Sequence, residues 1–360
     1  MQCWLFEKFG VQVVFDSYRY IEDANRLLSS GEFRLSYVSY TLLLAAFLKG
    51  TGAVAGVVWV QLAFSLAATV AFFKLVYHFS ASAPVAFLAG FLLVVWPDYQ
   101  QWNFYVHTEA LFVSITLIAF LRMATARRKW AYLQLALLLV FLVFLRSNGF
   151  MVALAVASYL ASDAWLKRGW RLRWLFAVIV GGGTPLFILL AHLFLADMSG
   201  LHAFTDHLVT GNVIQGYEGV RVEATMELAL TGSPLQQVLQ LVWQEPGFFF
   251  KRSALRFIYY WGQIRPYFAG YHNGLIGLFF YPQYALALYG ILKRQVYTPL
   301  LIAMGVLAVL LTAMVLVSGV DWDNRFMLPL LPFIYLTAMA GLQKLAMPYS
   351  KPQAANLLQQ

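Results

Sequence analysis

The segment TPLLIAMGVLAVLLTAMVLVSG, residues 298 to 319, decides the fold class because it carries no charged residue along its whole length. A helix needs roughly 20 consecutive apolar residues to cross the hydrocarbon core of a bilayer. The composition agrees, since 61% of the chain is hydrophobic and only 11% is charged, against roughly 25% charged residues in soluble domains. The sequence therefore predicts an all-α polytopic membrane protein.

The same criterion predicts a bundle of about 9–10 transmembrane helices. Nine spans are predicted directly: 53–79, 83–97, 104–122, 130–146, 148–166, 174–196, 275–292, 298–319 and 326–346. The apolar run at 35–48 is shorter, and its length is typical of an interfacial helix rather than of a span. We expect this helix to lie along the membrane within the first outer loop, residues 16–52.

Short loops rich in lysine and arginine stay in the cytoplasm. Three such loops occur, and their basic residues are Arg122, Arg127, Arg128 and Lys129; Lys167, Arg168, Arg171 and Arg173; and Lys293 and Arg294. This orientation divides the chain into a membrane catalytic module at 1–196, a long extracytoplasmic loop with amphipathic helices at 197–273, and terminal spans with a short cytoplasmic tail at 274–360. The polar loops near residues 16, 107, 146 and 325 then share one outer face.

The remaining composition bears on which partners, covalent cross-links and membrane the sequence favours. The net charge of +9 is largely explained by the cytoplasmic loops, so nucleic-acid binding is not implied. The single Cys3 excludes an intramolecular disulfide, and no Asn-x-Ser/Thr sequon is present, which favours a bacterial inner membrane. Residues 1–15 contain Glu7 and Lys8 and lack the features of a secretory signal; they indicate a shortened first helix or a truncated start.

Three classes of function compete: a transporter, a structural subunit and an enzyme acting on a lipid-linked substrate. Ion-coupled carriers keep charges near the bilayer midplane. Here the ionisable residues of the spans lie close to helix ends, as Lys74, Glu109, Asp163, His192 and Lys344 do. A structural subunit gives no reason to collect acids, arginines and aromatics on one face, so the pattern favours the enzyme.

Five sequence features occur in a characteristic order. They are the acid opening a Tyr-rich amphipathic helix at Asp16 to Gly31, then Leu48-Lys49-Gly50, Thr108-Glu109-Ala110-Leu111, Leu145-Arg146-Ser147-Asn148-Gly149, and Asn324-Arg325 through Pro332. In this order the chain resembles the GT-C membrane glycosyltransferases. The most similar branch, family 39-like, contains the protein O-mannosyltransferases and the lipid A aminoarabinose transferase.

The resemblance implies a GT-C-like bundle that transfers a sugar from a polyprenyl-phosphate donor to a lipid, glycan or protein acceptor outside the cytoplasm. It makes Asp16 the general base of a single-displacement, inverting reaction. Asp16 could instead be an N-cap. Arg19 with Asp23, or Glu22 with Arg26, could form ordinary surface pairs, and Asp23 and Glu22 are expected to be solvated. Glu109 becomes the second acid of the site, orienting the acceptor or binding a metal, although it could instead be a buried carboxyl that His107 or Thr108 satisfies.

The leaving phosphate needs fixed cations, and arginine provides them in bidentate geometry. Arg146 and Arg325 are the candidates because the positive-inside rule disfavours cations in short outer loops; snorkelling to lipid headgroups is the alternative. Arg265 is a third candidate for binding the phosphate of the sugar donor. Tyr20 and His107 are predicted to contact substrate.

Two further groups lie in the long outer loop. Lys251, Arg252 and Arg256 are predicted to lie on anionic lipid as part of a basic interfacial helix. Three potential donors to a hard cation lie within one short stretch: His202, Asp206 and His207. Their spacing matches no established metal signature, so a divalent metal is an unsupported option and the lipid-linked sugar donor is the one cofactor that the resemblance implies.

Departures from the family pattern keep an alternative open. Ser36 to Tyr40 replaces the usual Pro-Pro before the interfacial helix, and Glu109 stands where Asp is commoner. The alternative is an extracytoplasmic polysaccharide polymerase or ligase that uses a lipid-diphosphate oligosaccharide, with a transporter third. A diphosphate donor requires more clustered outer arginines than Arg146 and Arg325.

Overall fold

The computed structural model describes residues 2–35, 37–168 and 201–347, and these are mainly helical. The helices are α1 Gln2–Phe9, α2 Asp16–Ser30, α3 Val38–Thr51, α4 Gly56–Ser80, α5 Ala83–Val95, α6 Pro97–Gln100, α7 Glu109–Thr125, α8 Lys129–Leu145, α9 Gly149–Arg168, α10 Leu201–Val209, α11 Pro234–Gln244, α12 Pro246–Gly262, α13 Gly270–Leu292, α14 Thr298–Ser318 and α15 Leu331–Ala346. Two 3₁₀ helices, Gln101–Phe104 and Arg325–Met327, complete the helical part.

The protein is a helical membrane protein. Within the described ranges, α4, α9, α13 and α14 are long and apolar enough to cross a bilayer. A fifth span is reached if α5 and the segment Pro97–Phe104, which are bent by 72°, count as one. The spans predicted at 104–122, 130–146 and 326–346 correspond to helices of 17, 17 and 16 residues. The predicted span 174–196 lies outside the described residues.

A small β-hairpin modifies the all-α prediction. Strands β1 Asn212–Ile214 and β2 Tyr217–Arg221 pair antiparallel inside the long loop that was predicted to be helical. Gly216 has a φ of +71° in the turn between them, a conformation that glycine adopts without steric cost. The loop therefore contains local strand structure as well as amphipathic helices.

Local sequence signals fix where many helices begin and end. Proline occupies the first turn of α5, α11, α12, α14 and α15, where its missing N–H removes no helical hydrogen bond. Ser233 and Gln236 form a capping box at the start of α11. Gly31 and Gly52 close α2 and α3 in the left-handed conformation, which satisfies carbonyls of the last turn.

Helices α13 and α15 form an extensive packing contact through facing glycines. A Cβ atom on Gly341 would lie 2.1 Å from the Leu286 carbonyl oxygen, and one on Gly290 would lie 2.7 Å from the Thr337 carbonyl oxygen. Small residues of this kind let helix backbones approach closely in membranes. The contact fixes α15, and therefore the segment that precedes it.

Two backbone bridges connect distant segments at one end of the bundle. Gln12 pairs with Tyr105 in parallel register, so the chain before α2 lies beside the chain before α7. Ile214 of β1 pairs with Val320 in the same way, which holds the hairpin against the segment after α14. These bridges bring the residues preceding Asp16, Glu109 and Arg325 to one end of the bundle.

Candidate functional site

A buried carboxylate shared by two arginines forms the centre of the site. Glu109 at the start of α7 is 3% exposed, and its Oε1 lies 2.5 Å from Nη1 of Arg146 and 3.6 Å from Nη1 of Arg325. Thr108 donates its hydroxyl to Oε2 at 3.4 Å, and Nδ1 of His107 lies 3.6 Å from the same oxygen. Two guanidinium groups therefore share this one buried carboxylate.

Asp16 forms the exposed side of this cluster. Its Oδ2 accepts a hydrogen bond of 2.9 Å from Nη1 of Arg325, and its Oδ1 lies 3.6 Å from Nη2 of Arg19. The Asp16 side chain remains 33% exposed, against 14% for Arg325. Helix α2 begins at Asp16 itself, after Phe15, and no side-chain cap is present. The alternative that Asp16 acts as an N-cap is therefore wrong.

The residues immediately before Asp16 and Arg325 have unusual backbone conformations. Phe15 has a φ of +46°, and Asn324 has a φ of +64°. Non-glycine residues with positive φ cost of order 1–3 kcal/mol and occur preferentially at functional sites. Their side chains are also engaged, since Phe15 contacts the Trp322 ring at a centroid distance of 5.3 Å and Asn324 donates to the Gln263 carbonyl. The surrounding structure thus imposes the positions of the carboxylate and the guanidinium.

Asp321 and Arg265 support the turn that presents Arg325. The Asp321 carboxylate accepts hydrogen bonds from the backbone N–H groups of Arg325 and Phe326. Arg265 is fully buried and donates to the carbonyls of Asp321 and Tyr259, at 3.0 and 2.7 Å. Arg265 therefore binds backbone carbonyls and lies outside the ion-pair cluster, unlike the other predicted phosphate ligands.

Asp323 is a further carboxyl beside the cluster. Burial raises its pKa to about 9, with the nearby Asp321 carboxylate adding to the shift and Arg325 opposing it. Its Oδ1 is buried and has no hydrogen-bond partner within the described part of the chain. Burial lowers the pKa of Arg325, but the carboxylates of Glu109 and Asp16 outweigh that effect and raise it. The protein thus holds a protonated acid next to a permanent cation at neutral pH.

Aromatic residues line the side of the cluster that faces α2 and α3. Tyr20 is 2% exposed, and its ring lies 5.2 Å from Tyr37 and 6.1 Å from His107. The Arg19 guanidinium lies over the rings of Tyr20 and Tyr37 at 5.2 and 5.0 Å. His107 is 1% exposed, and its Nε2 bonds to the Val14 carbonyl at 3.0 Å. Tyr20 and His107 are therefore buried side chains that pack against each other beside the charged cluster.

The prediction that Arg252 and Arg256 lie on anionic lipid is wrong. Both are fully buried, and their guanidinium groups bind carbonyls at helix ends. Arg252 binds those of Leu208 and Thr210, at the end of α10, and Arg256 binds those of Leu316 and Val317, in the last turn of α14. Helix C-termini leave carbonyls without partners and attract cations. These arginines cap two helices instead of binding lipid.

The acids of α2 also differ from expectation in one case. Glu22 forms the expected exposed pair with Arg26 at 2.8 Å. Asp23, however, is only 4% exposed, and its carboxylate lies 3.6 Å from Arg34. The solvated position predicted for Asp23 is therefore wrong, and Arg19 pairs with Asp16 in its place.

Among the residues described, no group of three or more His, Cys, Asp or Glu side chains is arranged to hold a metal ion. Asp206 and His207 instead line a polar cavity of about 240 Å³ together with Arg256 and Gly319. The side chain of His202 lies outside the described set.

The structure thus brings Asp16, Glu109, Arg146 and Arg325 into one cluster, with Tyr20 and His107 at its edge. No protein-family model, curated protein or solved structure matches this chain. Sequence reasoning missed Arg19, Asp321 and Asp323 as parts of this region. The run Asp321-Trp322-Asp323-Asn324-Arg325 was the available signal, because two acids beside an arginine in a short loop between apolar segments are unusual.

Proposed function

We propose that this protein is an integral membrane glycosyltransferase of the GT-C type, acting at the outer face of a bacterial inner membrane. It transfers a sugar from a polyprenyl-phosphate donor to an acceptor hydroxyl. The observation that carries the proposal is the cluster in which a partly exposed carboxylate, Asp16, shares Arg325 with the buried Glu109. In this arrangement Asp16 provides the base, and Arg325, which it contacts, belongs to the phosphate site.

Asp16 supplies the base. Its carboxylate is the most exposed acid of the cluster, so an acceptor hydroxyl can reach it. The hydroxyl oxygen attacks the anomeric carbon while its proton moves to Asp16, and the bond from that carbon to the phosphate oxygen breaks. One displacement inverts the anomeric configuration, and the only proton moved is the one that Asp16 accepts.

Arg325 and Arg146 stabilise the leaving phosphate. Both direct Nη1 towards Glu109, and Nε of Arg325 is buried without a hydrogen-bond partner among the residues described. A buried unsatisfied donor calls for a partner, and an anion meets this need. Preorganised cations facing a developing negative charge lower the barrier without reorganisation at the moment of reaction. Glu109 fixes both guanidinium groups before the donor arrives.

The test is transfer from radiolabelled polyprenyl-phosphate sugars to cell-envelope lipids, glycans and proteins. We expect purified wild-type protein to transfer at least one sugar and Asp16→Asn to lose about 10²–10⁴-fold in rate while still binding the donor. The control is Glu22→Gln, which neutralises an exposed acid of the same helix and should retain full activity.

Two results would contradict the assignment. Equal transfer by wild type and Asp16→Asn would remove Asp16 as the base. Absence of transfer from every monophosphate donor would reject the proposed donor class and direct the search to the alternative below.

One observation favours a second candidate. Arg19 lies 3.6 Å from Asp16 and adds a third arginine to Arg146 and Arg325. A lipid-diphosphate donor carries more charge and requires more clustered cations, so a polysaccharide polymerase or ligase is the second candidate. If it is correct, lipid-diphosphate oligosaccharides will be consumed and Arg19→Gln will weaken their binding, whereas a monophosphate enzyme will show little dependence on Arg19.

A further inference from the structure

A cavity of about 400 Å³ lies at the end of α7 opposite to Glu109. We call it the α7-end cavity. Its walls come from the last turns of α4, α7 and α9, from the first turn of α8, and from the residue before α14; they include His78, Met123, Tyr132, Asp163 and Tyr297. Small-ligand sites usually measure about 300–1,000 Å³. The cavity is therefore large enough for a ligand and is separate from the ion-pair cluster.

The charges of this cavity favour an anion. Arg127 and Lys167 line it together with one acid, Asp163. Both oxygens of that acid are engaged: Oδ1 accepts a 2.6 Å hydrogen bond from the Tyr297 hydroxyl, and Oδ2 lies 3.3 Å from Nζ of Lys167. Lys167 is still 44% exposed despite this pair. Among the described lining residues, the two cations exceed the single carboxylate by one formal charge.

The surroundings place this cavity at the level of lipid headgroups. Tyr77, Trp130, Tyr132 and Trp165 are large exposed aromatic side chains at the same end of the bundle. Tyrosine and tryptophan concentrate where the hydrocarbon core meets the headgroups. The wall also contains apolar side chains such as Phe79, so a ligand with both a charged and an apolar part fits better than a bare ion.

We propose that the α7-end cavity binds the phosphate headgroup of an anionic membrane lipid, with the phosphate between Arg127 and Lys167. The arginine guanidinium matches phosphate oxygens in bidentate geometry. Basic pockets between spans on the cytoplasmic side are known to accept anionic headgroups, and the orientation predicted from the basic loops places this end in the cytoplasm. The inference is independent of the proposed transferase activity.

Binding of a fluorescent short-chain phosphatidylglycerol to the purified protein in neutral detergent tests the inference. We expect Arg127→Gln/Lys167→Gln to bind the probe at least about tenfold more weakly, since each cation near a membrane surface contributes about 1 kcal/mol. The matched control is Arg128→Gln/Lys129→Gln, which removes the same charge from the same loop outside the cavity and should change the dissociation constant less than threefold. Asp163→Asn should bind the probe more tightly, which keeps the inference testable if the double variant is poorly folded.

The results that overturn the inference are specific. Equal losses in the two double variants would show general attraction to a basic surface. A phosphatidylcholine probe that binds as tightly as phosphatidylglycerol would remove the requirement for an anionic headgroup. Displacement of the probe by inorganic phosphate at equal concentration would assign the site to a soluble phosphate and not to a lipid.

Discussion

Glu109→Gln provides the sharpest test of the charged cluster, because it removes one charge and keeps the shape of the side chain. In the wild type, Oε1 of Glu109 faces Nη1 of Arg146 at 2.5 Å and Nη1 of Arg325 at 3.6 Å. The neutral amide leaves two buried guanidinium groups close together without their shared counter-charge. We expect a large loss of stability even though glutamine has nearly the same shape and volume as glutamate.

The magnitude follows from burial. Removing one partner of a buried ion pair costs about 3–5 kcal/mol because the other charge stays buried, and Glu109 is 3% exposed. Glu22→Gln removes an ion pair of similar distance, 2.8 Å, but its side chains are 69% and 37% exposed. An exposed i,i+4 pair contributes about 0.3–0.5 kcal/mol. The two substitutions therefore differ about tenfold in expected cost.

Thermal unfolding in one detergent at one scan rate measures this difference. At about 2 °C for each kcal/mol, the value for a large chain, Glu109→Gln should lower Tm by about 6–10 °C and Glu22→Gln by less than about 2 °C. Arg146→Met in the Glu109→Gln background removes one unpaired cation and should recover part of the loss. A Tm within 2 °C of wild type for Glu109→Gln, or strictly additive losses in the double variant, would refute this reasoning.

Three further predictions concern other parts of the chain. Asp323 keeps its proton when folded up to a pKa of about 9 but loses it near pH 4 when unfolded, so stability should fall as pH rises from about 4 to 9. Asp323→Asn should flatten this decline in Tm measured against pH. Arg256→Met should cost about 2–4 kcal/mol because it leaves the carbonyls ending α14 unpaired, whereas Lys251→Met on the exposed side of α12 should be near neutral in the same thermal scan. Gly341→Ala should cost about 1–3 kcal/mol through overlap with the Leu286 carbonyl, while Gly305→Ala, which meets no atom within 4 Å, should not lower Tm.

The lengths of the apolar segments and the uneven distribution of basic residues between the loops predicted much of the site. Asp16, Glu109, Arg146 and Arg325 were assigned to one face from the order of spans and basic loops, and the structure places them in one cluster. Such a prediction works because polar groups at the ends of spanning helices can meet only residues from the same end. The helical membrane fold follows from the same physics, although within the described ranges fewer helices reach spanning length than predicted.

Other residues could not be predicted because their partners are backbone atoms. Arg252 and Arg256 have the spacing of a basic amphipathic helix, and this pattern is identical whether the outer surface is lipid or protein. Their carbonyl partners at the ends of α10 and α14 arise only after those helices pack against α12. The same applies to Asp23, since its burial depends on how the segment after α2 folds back to present Arg34. Tertiary packing determines the partners of these side chains, and the local sequence pattern does not encode that packing.

The hydrogen bond between Asp16 and Arg325 joins residues 309 positions apart. A ribosome that adds about 5–20 residues per second needs roughly 15–60 s to synthesise the chain between them. The contact of Glu109 with Arg146 lies within the α7 and α8 hairpin and can form much earlier. The buried half of the charged cluster can therefore form while the chain is still being made, whereas Asp16 cannot meet Arg325 before that residue has been synthesised.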